Sequence, residues 1–127
     1  MHLAIFGGSF DPVHIAHKKI VIEALENLEI DRLEIVPTYL NPFKKSFKLS
    51  PKKRYELLRK TFNSYEKVNV CDFEINQNRK VPSIETVLHL KKLYNPEKIY
   101  LIIGEDNLES LHKWYKIDEL KKLVEFV

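Results

Sequence analysis

"GGSFDPVHIAH", residues 7–17, follows directly on the apolar run "LAIF" at 3–6. It holds two of the three glycines of the chain, an Asp-Pro pair and two histidines three apart. An apolar run of four that breaks at glycine reads as a buried strand, and 14–28 reads as a helix with Val21, Leu25 and Leu28 on one side. The same alternation continues. "LEIV" (33–36) is a strand, and a helix begins at Ser50-Pro51, a side-chain cap followed by proline in the first turn, and runs to 62. "VNVC" (68–71) is a strand, a polar loop covers 74–82, and 84–94 is a helix. "KIYLII" (98–103) is a strand, short helices follow at 106–112 and 117–122, and "LVEFV" ends the chain as a fifth strand.

Strands alternating with helices imply right-handed crossovers and a parallel sheet. "LAIF" and "YLII" are continuously apolar, as strands covered on both faces are, whereas "LEIV" and "VNVC" carry polar interruptions and belong nearer an edge. With the first and fourth strands central, the order is 3-2-1-4-5. The expected fold is therefore α/β, a doubly wound parallel sheet of Rossmann-like type. Ligands in such sheets bind beyond the carboxyl ends of the strands where the order reverses. Two loops meet there, "GGSFDP" and "GEDN", and together they contain Gly7, Gly8 and Gly104, where a missing Cβ lets backbone amides approach a ligand.

The bulk composition narrows the class. At 127 residues with 44% hydrophobic and 31% charged residues, the chain reads as one folded domain, 1–127. No apolar run approaches the ~18 residues of a membrane span, and the start does not read as a signal peptide. One cysteine, Cys71, leaves no internal disulfide framework and fits a reducing cytoplasm. The net charge of +3 is unevenly spread. Lys44, Lys45, Lys48, Lys52, Lys53, Arg54, Arg59 and Lys60 crowd into 41–60 against Glu56 alone, which reads equally as a solvated face or as a patch that attracts phosphate. No nucleic-acid recognition motif accompanies it.

His14 and His17 share one face at the start of the first helix, where amides and the positive dipole end favour anions. Two imidazoles there can donate hydrogen bonds to a polyphosphate. A zinc site would need further ligands, and only the scattered His2, Cys71, His89 and His112 are available, so no metal site is expected. Neither a Walker-type loop nor the three-glycine dinucleotide fingerprint occurs. Asp106 reads equally as a helix cap, and Trp114-Tyr115 as ordinary packing of a short helix.

"GGSFDPVHIAH" resembles the signature of the nucleotidylyltransferase superfamily, a glycine-rich turn followed by a His-x-Gly-His pair. "PTYLNPFKK", "VPSIET" and "IIGEDNLESLHKWY", in that order, are similar to the bacterial nicotinate-nucleotide adenylyltransferases. The resemblance implies transfer of the adenylyl group of ATP to nicotinate mononucleotide, giving nicotinate adenine dinucleotide and pyrophosphate, with Mg2+ carried by ATP and no covalent enzyme intermediate. It implies that Gly7, Gly8, Ser9 and Phe10 line the cleft through their backbone. His14, His17 and Lys44 would act on the ATP phosphates, and Gly104 and Asp106 would bind the adenosine. Ser9, Phe10, Thr86, Trp114 and Tyr115 would surround the mononucleotide, with the ring against the aromatic pair and its carboxylate on backbone amides. The implied partners are these small molecules, without nucleic acid or membrane.

The sequence departs from the family pattern at Ala16 in place of glycine, at Phe43 in place of histidine, and in "PSIET", which lacks the usual Tyr-Thr. The family continues beyond "LVEFV" with a strand–helix section holding an Ile-Ser-Ser-Thr-x-x-Arg type motif, so the chain is expected to be truncated at its C-terminus. Two alternatives remain at this point. One is another adenylyltransferase of the superfamily, such as phosphopantetheine adenylyltransferase. The other is a nucleotide-binding domain that is inactive without the missing section.

Overall fold

A computed structural model describes residues 1–39, 49–103 and 111–127. Lys44, Gly104 and Asp106 lie outside the described residues, as do Lys45, Lys48 and most of the expected helix at 106–112. Five parallel strands form one sheet in the order β3-β2-β1-β4-β5, as the apolar pattern requires. They are β1 (His2–Gly8), β2 (Arg32–Pro37), β3 (Val68–Val70), β4 (Lys98–Ile102) and β5 (Glu125–Phe126). The crossover helices are α1 (Ile15–Asn27), α2 (Pro51–Phe62), α3 (Ser83–Tyr94) and α4 (Ile117–Leu123), with one-turn 3-10 segments at Ile75–Gln77 and Leu111–Lys113.

Side chains alternate across β1 and divide the core in two. Ala4 and Phe6 face Val21 and Ala24 of α1 and Leu58 and Phe62 of α2. Leu3 and Ile5 face Ile84, Val87 and Leu90 of α3 and Leu120 of α4. Helices thus cover both sheet faces, which is why β1 and β4 are apolar without interruption. The polar break in β2 has a different origin from edge exposure. Glu34 is 1% exposed, and it accepts hydrogen bonds from Asn69 Nδ2 at 2.7 Å and Tyr94 Oη at 2.6 Å.

The first strand is longer than its apolar run. Gly7 and Gly8 are ladder residues, paired with Val36 and Pro37 of β2, rather than the first residues of a loop. Neither has a positive φ; the left-handed residue of this junction is Phe10, at φ 49°. A Cβ at Gly8 would lie 3.3 Å from Phe10 Cε2 and Cζ. The small residue there makes room for a buried ring, a use additional to the ligand approach expected from sequence.

Candidate active site

Phe10 is the hinge of the βα1 junction. Its backbone takes the left-handed turn, and its ring is 2% exposed beneath the strand end. The ring meets Phe6 edge-on at 5.2 Å between centroids and His17 edge-on at 4.8 Å. Phe10 therefore buttresses the histidine pair from below.

The pair itself forms the cap of α1. His14 is the cap residue, in extended conformation, and its Nδ1 accepts from the Ala16 amide at 3.2 Å. His17 Nδ1 accepts in turn from the His14 amide at 3.1 Å. This is a capping box built from two imidazoles. The rings stack at 3.8 Å between centroids. With both Nδ1 atoms accepting, the ring hydrogens lie on Nε2. The helix start therefore presents N–H donors, suited to anionic oxygen rather than to a metal ion.

On the α3 side of β1 lies a cavity of about 250 Å³. Its floor is the carboxyl ends of the two central strands, Gly7 and Gly8 of β1 with Leu101 and Ile102 of β4, extended by Ile103. Trp114 and Tyr115 form one wall, and Val81, Pro82 and Ser83, at the start of α3, form another. The α3 N-terminus has no side-chain cap, so its amides and dipole face the space by Ser83. Lys80 and Lys113 add positive charge at the rim.

Two lining residues escaped the sequence reading. Glu74, assigned there to a polar loop, is 5% exposed. Burial pushes its carboxyl up to about 8, with Glu85 adding to the rise, against a hydrogen bond from Thr86 Oγ1 at 2.5 Å. Thr38, at the end of β2, donates its amide to Gly8 O at 3.0 Å. Its buried hydroxyl oxygen has no partner among the described residues.

The expected site residues thus fall into two groups at one end of the sheet. Gly7, Gly8, Trp114 and Tyr115 line the cavity. His14 and His17 stand on the opposite side of β1, at the start of α1. Ser9 lies between the groups, and its carbonyl accepts from Arg54 Nη1 at 2.8 Å. Phe10 supports His17 with its ring rather than lining the cavity. Thr86 is 2% exposed and turned to Glu74, so the α3 residue that meets the cavity is Ser83. The basic run is also divided. Lys52, Lys53, Arg59 and Lys60 are exposed, whereas Arg54 is 1% exposed and spends its donors on carbonyl groups.

A parallel sheet with helices on both faces, and a cavity and a capped helix start flanking its central strand, defines a doubly wound nucleotide-binding domain. The sequence profile of the cytidylyltransferase-like family matches residues 5–127, and the chain belongs to that family. A "probable nicotinate-nucleotide adenylyltransferase" of Aliarcobacter butzleri is 65% identical over the whole chain, which spans 70% of that relative. A protein of the same name from Campylobacter jejuni is 57% identical over the same span. Among solved structures, a Plasmodium falciparum nicotinic acid mononucleotide adenylyltransferase complexed with NaAD has a TM-score of 0.75 at 22% identity. That match covers 94% of this chain and 59% of the other, and it bears on the fold alone. No helix among the described residues is long and apolar enough to cross a membrane.

Proposed function

We propose that the chain transfers the adenylyl group of ATP to nicotinate mononucleotide, releasing pyrophosphate and forming nicotinate adenine dinucleotide. The observation that carries this reading is the two-sided arrangement around the end of β1. On one side is a cavity walled by Trp114 and Tyr115, and on the other a helix start with two imidazole donors. The flat ring of the mononucleotide goes into the cavity against the aromatic wall. Its carboxylate goes to the α3 amides at Ser83, which suits an acid without a dedicated cationic side chain.

The triphosphate goes to the start of α1. A phosphate oxygen of the mononucleotide attacks the α-phosphorus, a new P–O bond forms, and the bond from the α-phosphorus to the bridging oxygen breaks. The Nε2–H groups of His14 and His17 stabilise the charge that collects on the departing pyrophosphate. Mg2+ bound to the triphosphate would offset part of its charge, while His14 and His17 would meet the phosphate oxygens as N–H donors. Lys44 and Asp106, outside the described residues, keep the roles that the family resemblance gives them. No protein nucleophile is required, because alignment of the two substrates carries most of the work.

Calorimetry on two variants tests the division of the site. Trp114→Ala weakens nicotinate mononucleotide by about 10-fold and leaves ATP nearly unchanged, while His17→Ala does the reverse. Equal losses of both substrates in both variants would contradict the assignment.

A further inference from the structure

The residue that joins the two halves of the site is Arg54. It sits in the first turns of α2, beside Lys52, Lys53, Arg59 and Lys60, which face solvent, yet it is 1% exposed. Its guanidinium donates to four carbonyls. Nε reaches Leu49 O at 3.1 Å, Nη1 reaches Ser9 O at 2.8 Å and Thr38 O at 2.6 Å, and Nη2 reaches Tyr39 O at 2.7 Å. Ser9 belongs to the junction after β1, and Thr38 and Tyr39 follow β2. The planar fork thus ties two separate strand exits to the start of a third element. Asp11 strengthens the same junction from outside: its carboxylate accepts from the Leu49 amide at 2.7 Å and lies close enough to act on the charge of Arg54.

Burying a cation is costly, and burial indeed pulls the guanidinium below its usual range. A well-packed apolar side chain stabilises a core at least as well as a buried charge does. What an apolar residue cannot do is fix carbonyls from different loops in one plane, which requires the rigid fork of arginine. Those carbonyls belong to residues beside the working parts of the site. Ser9 separates Gly8, in the cavity floor, from Phe10, under His17. Thr38 is itself in the cavity wall.

We propose that Arg54 is a positioning residue for the reaction, setting the cavity that takes one substrate and the histidine pair that takes the other at the separation in-line transfer requires. This rests on the function proposed above. The guanidinium touches neither substrate and acts through the Ser9 and Thr38 backbone. Misplacement of two reactants by about 1 Å costs on the order of 100-fold in rate.

The test compares Arg54→Lys and Arg54→Gln with Leu58→Ala, a control one turn further along α2 whose side chain is fully buried in the core. Each protein is assayed with ATP, Mg2+ and nicotinate mononucleotide at a temperature where it is folded by circular dichroism. Amide hydrogen exchange is followed at Thr38 and Leu49. Both Arg54 variants lower kcat by about 10- to 100-fold with each KM within about threefold, and both amides exchange faster. Leu58→Ala loses thermal stability but keeps kcat within about twofold and leaves the two amides protected. Asp11→Ala, which loosens the junction without emptying the core, gives a smaller fall in kcat of the same kind. An equal kcat loss in Leu58→Ala at matched stability, or unchanged kcat in the Arg54 and Asp11 variants, would overturn the proposal. If the wild type itself forms no product, the proposed function fails. The amide exchange then decides on Arg54 alone: local deprotection in its variants supports the positioning role, and unchanged protection refutes it.

Discussion

Replacing Glu74 by glutamine should change how stability depends on pH. In the folded chain the carboxyl is held neutral, raised from 4.5 to about 8 by burial in the cavity wall, with Glu85 contributing and the Thr86 hydroxyl opposing. The groups around it are Thr86 at 2.5 Å, Glu85, which is paired with Arg79 at 2.8 Å, and Lys80 in the same wall. Between pH 4.5 and 8 the unfolded chain has released this proton and the folded chain has not. Stability therefore falls as pH rises through that window, by about 1.4 kcal/mol per pH unit, to a total of about 5 kcal/mol above pH 8. That total is an upper limit, because a small rearrangement admitting water would relieve it. Glutamine has nearly the same shape, accepts the same bond from Thr86 and carries no charge. Urea denaturation of both proteins from pH 4.5 to 8.5 measures the effect. Glu74→Gln should match the wild type near pH 4.5 and exceed it by several kcal/mol near pH 8.5. A stability difference that stays constant across the range would mean that Glu74 is ionised in the folded chain, since only a proton retained on folding produces a slope. A neutral Glu74 also has a functional meaning, because an ionised one would repel an anionic ligand sharing the cavity.

Two further outcomes follow from the packing. Gly8→Ala puts a Cβ 3.3 Å from the buried Phe10 ring, which cannot yield without disturbing His17. Thermal denaturation should show a loss of about 1–2 kcal/mol, and ATP affinity should weaken by calorimetry with little change for the mononucleotide. The Cys71 thiol is pushed up to about 11, chiefly by burial, so its alkylation by iodoacetamide at pH 8 should be at least about 100-fold slower in the folded protein than in urea.

The architecture was legible because buried parallel strands leave an uninterrupted apolar signal. "LAIF" and "YLII" marked the two central strands, and the helix starting at Ser50-Pro51 announced itself by its cap, where Ser50 Oγ accepts from the Lys53 amide at 3.2 Å. The interior polar groups were not legible. Arg54 lay in a run of cations, and nothing in its spacing distinguished it from the exposed Lys53. Its burial follows from carbonyls 15 to 45 residues away converging on it. Glu74 read as part of a polar loop because its partner Thr86 lies in the next helix. The glycine pair was legible as important, and the structure adds a packing use at Gly8. Strand pairing extends through Gly8, and the missing Cβ serves the Phe10 ring. The histidine pair was the clearest site signal, since an i, i+3 spacing on a helix needs no tertiary information to place both rings together.

The most direct test is pyrophosphate release from ATP and Mg2+ with three acceptors offered separately: nicotinate mononucleotide, nicotinamide mononucleotide and phosphopantetheine. Release should depend on nicotinate mononucleotide, be weaker with the amide, be absent with phosphopantetheine, and collapse in His17→Ala. Release driven by phosphopantetheine, or none with any acceptor, would contradict the proposed function.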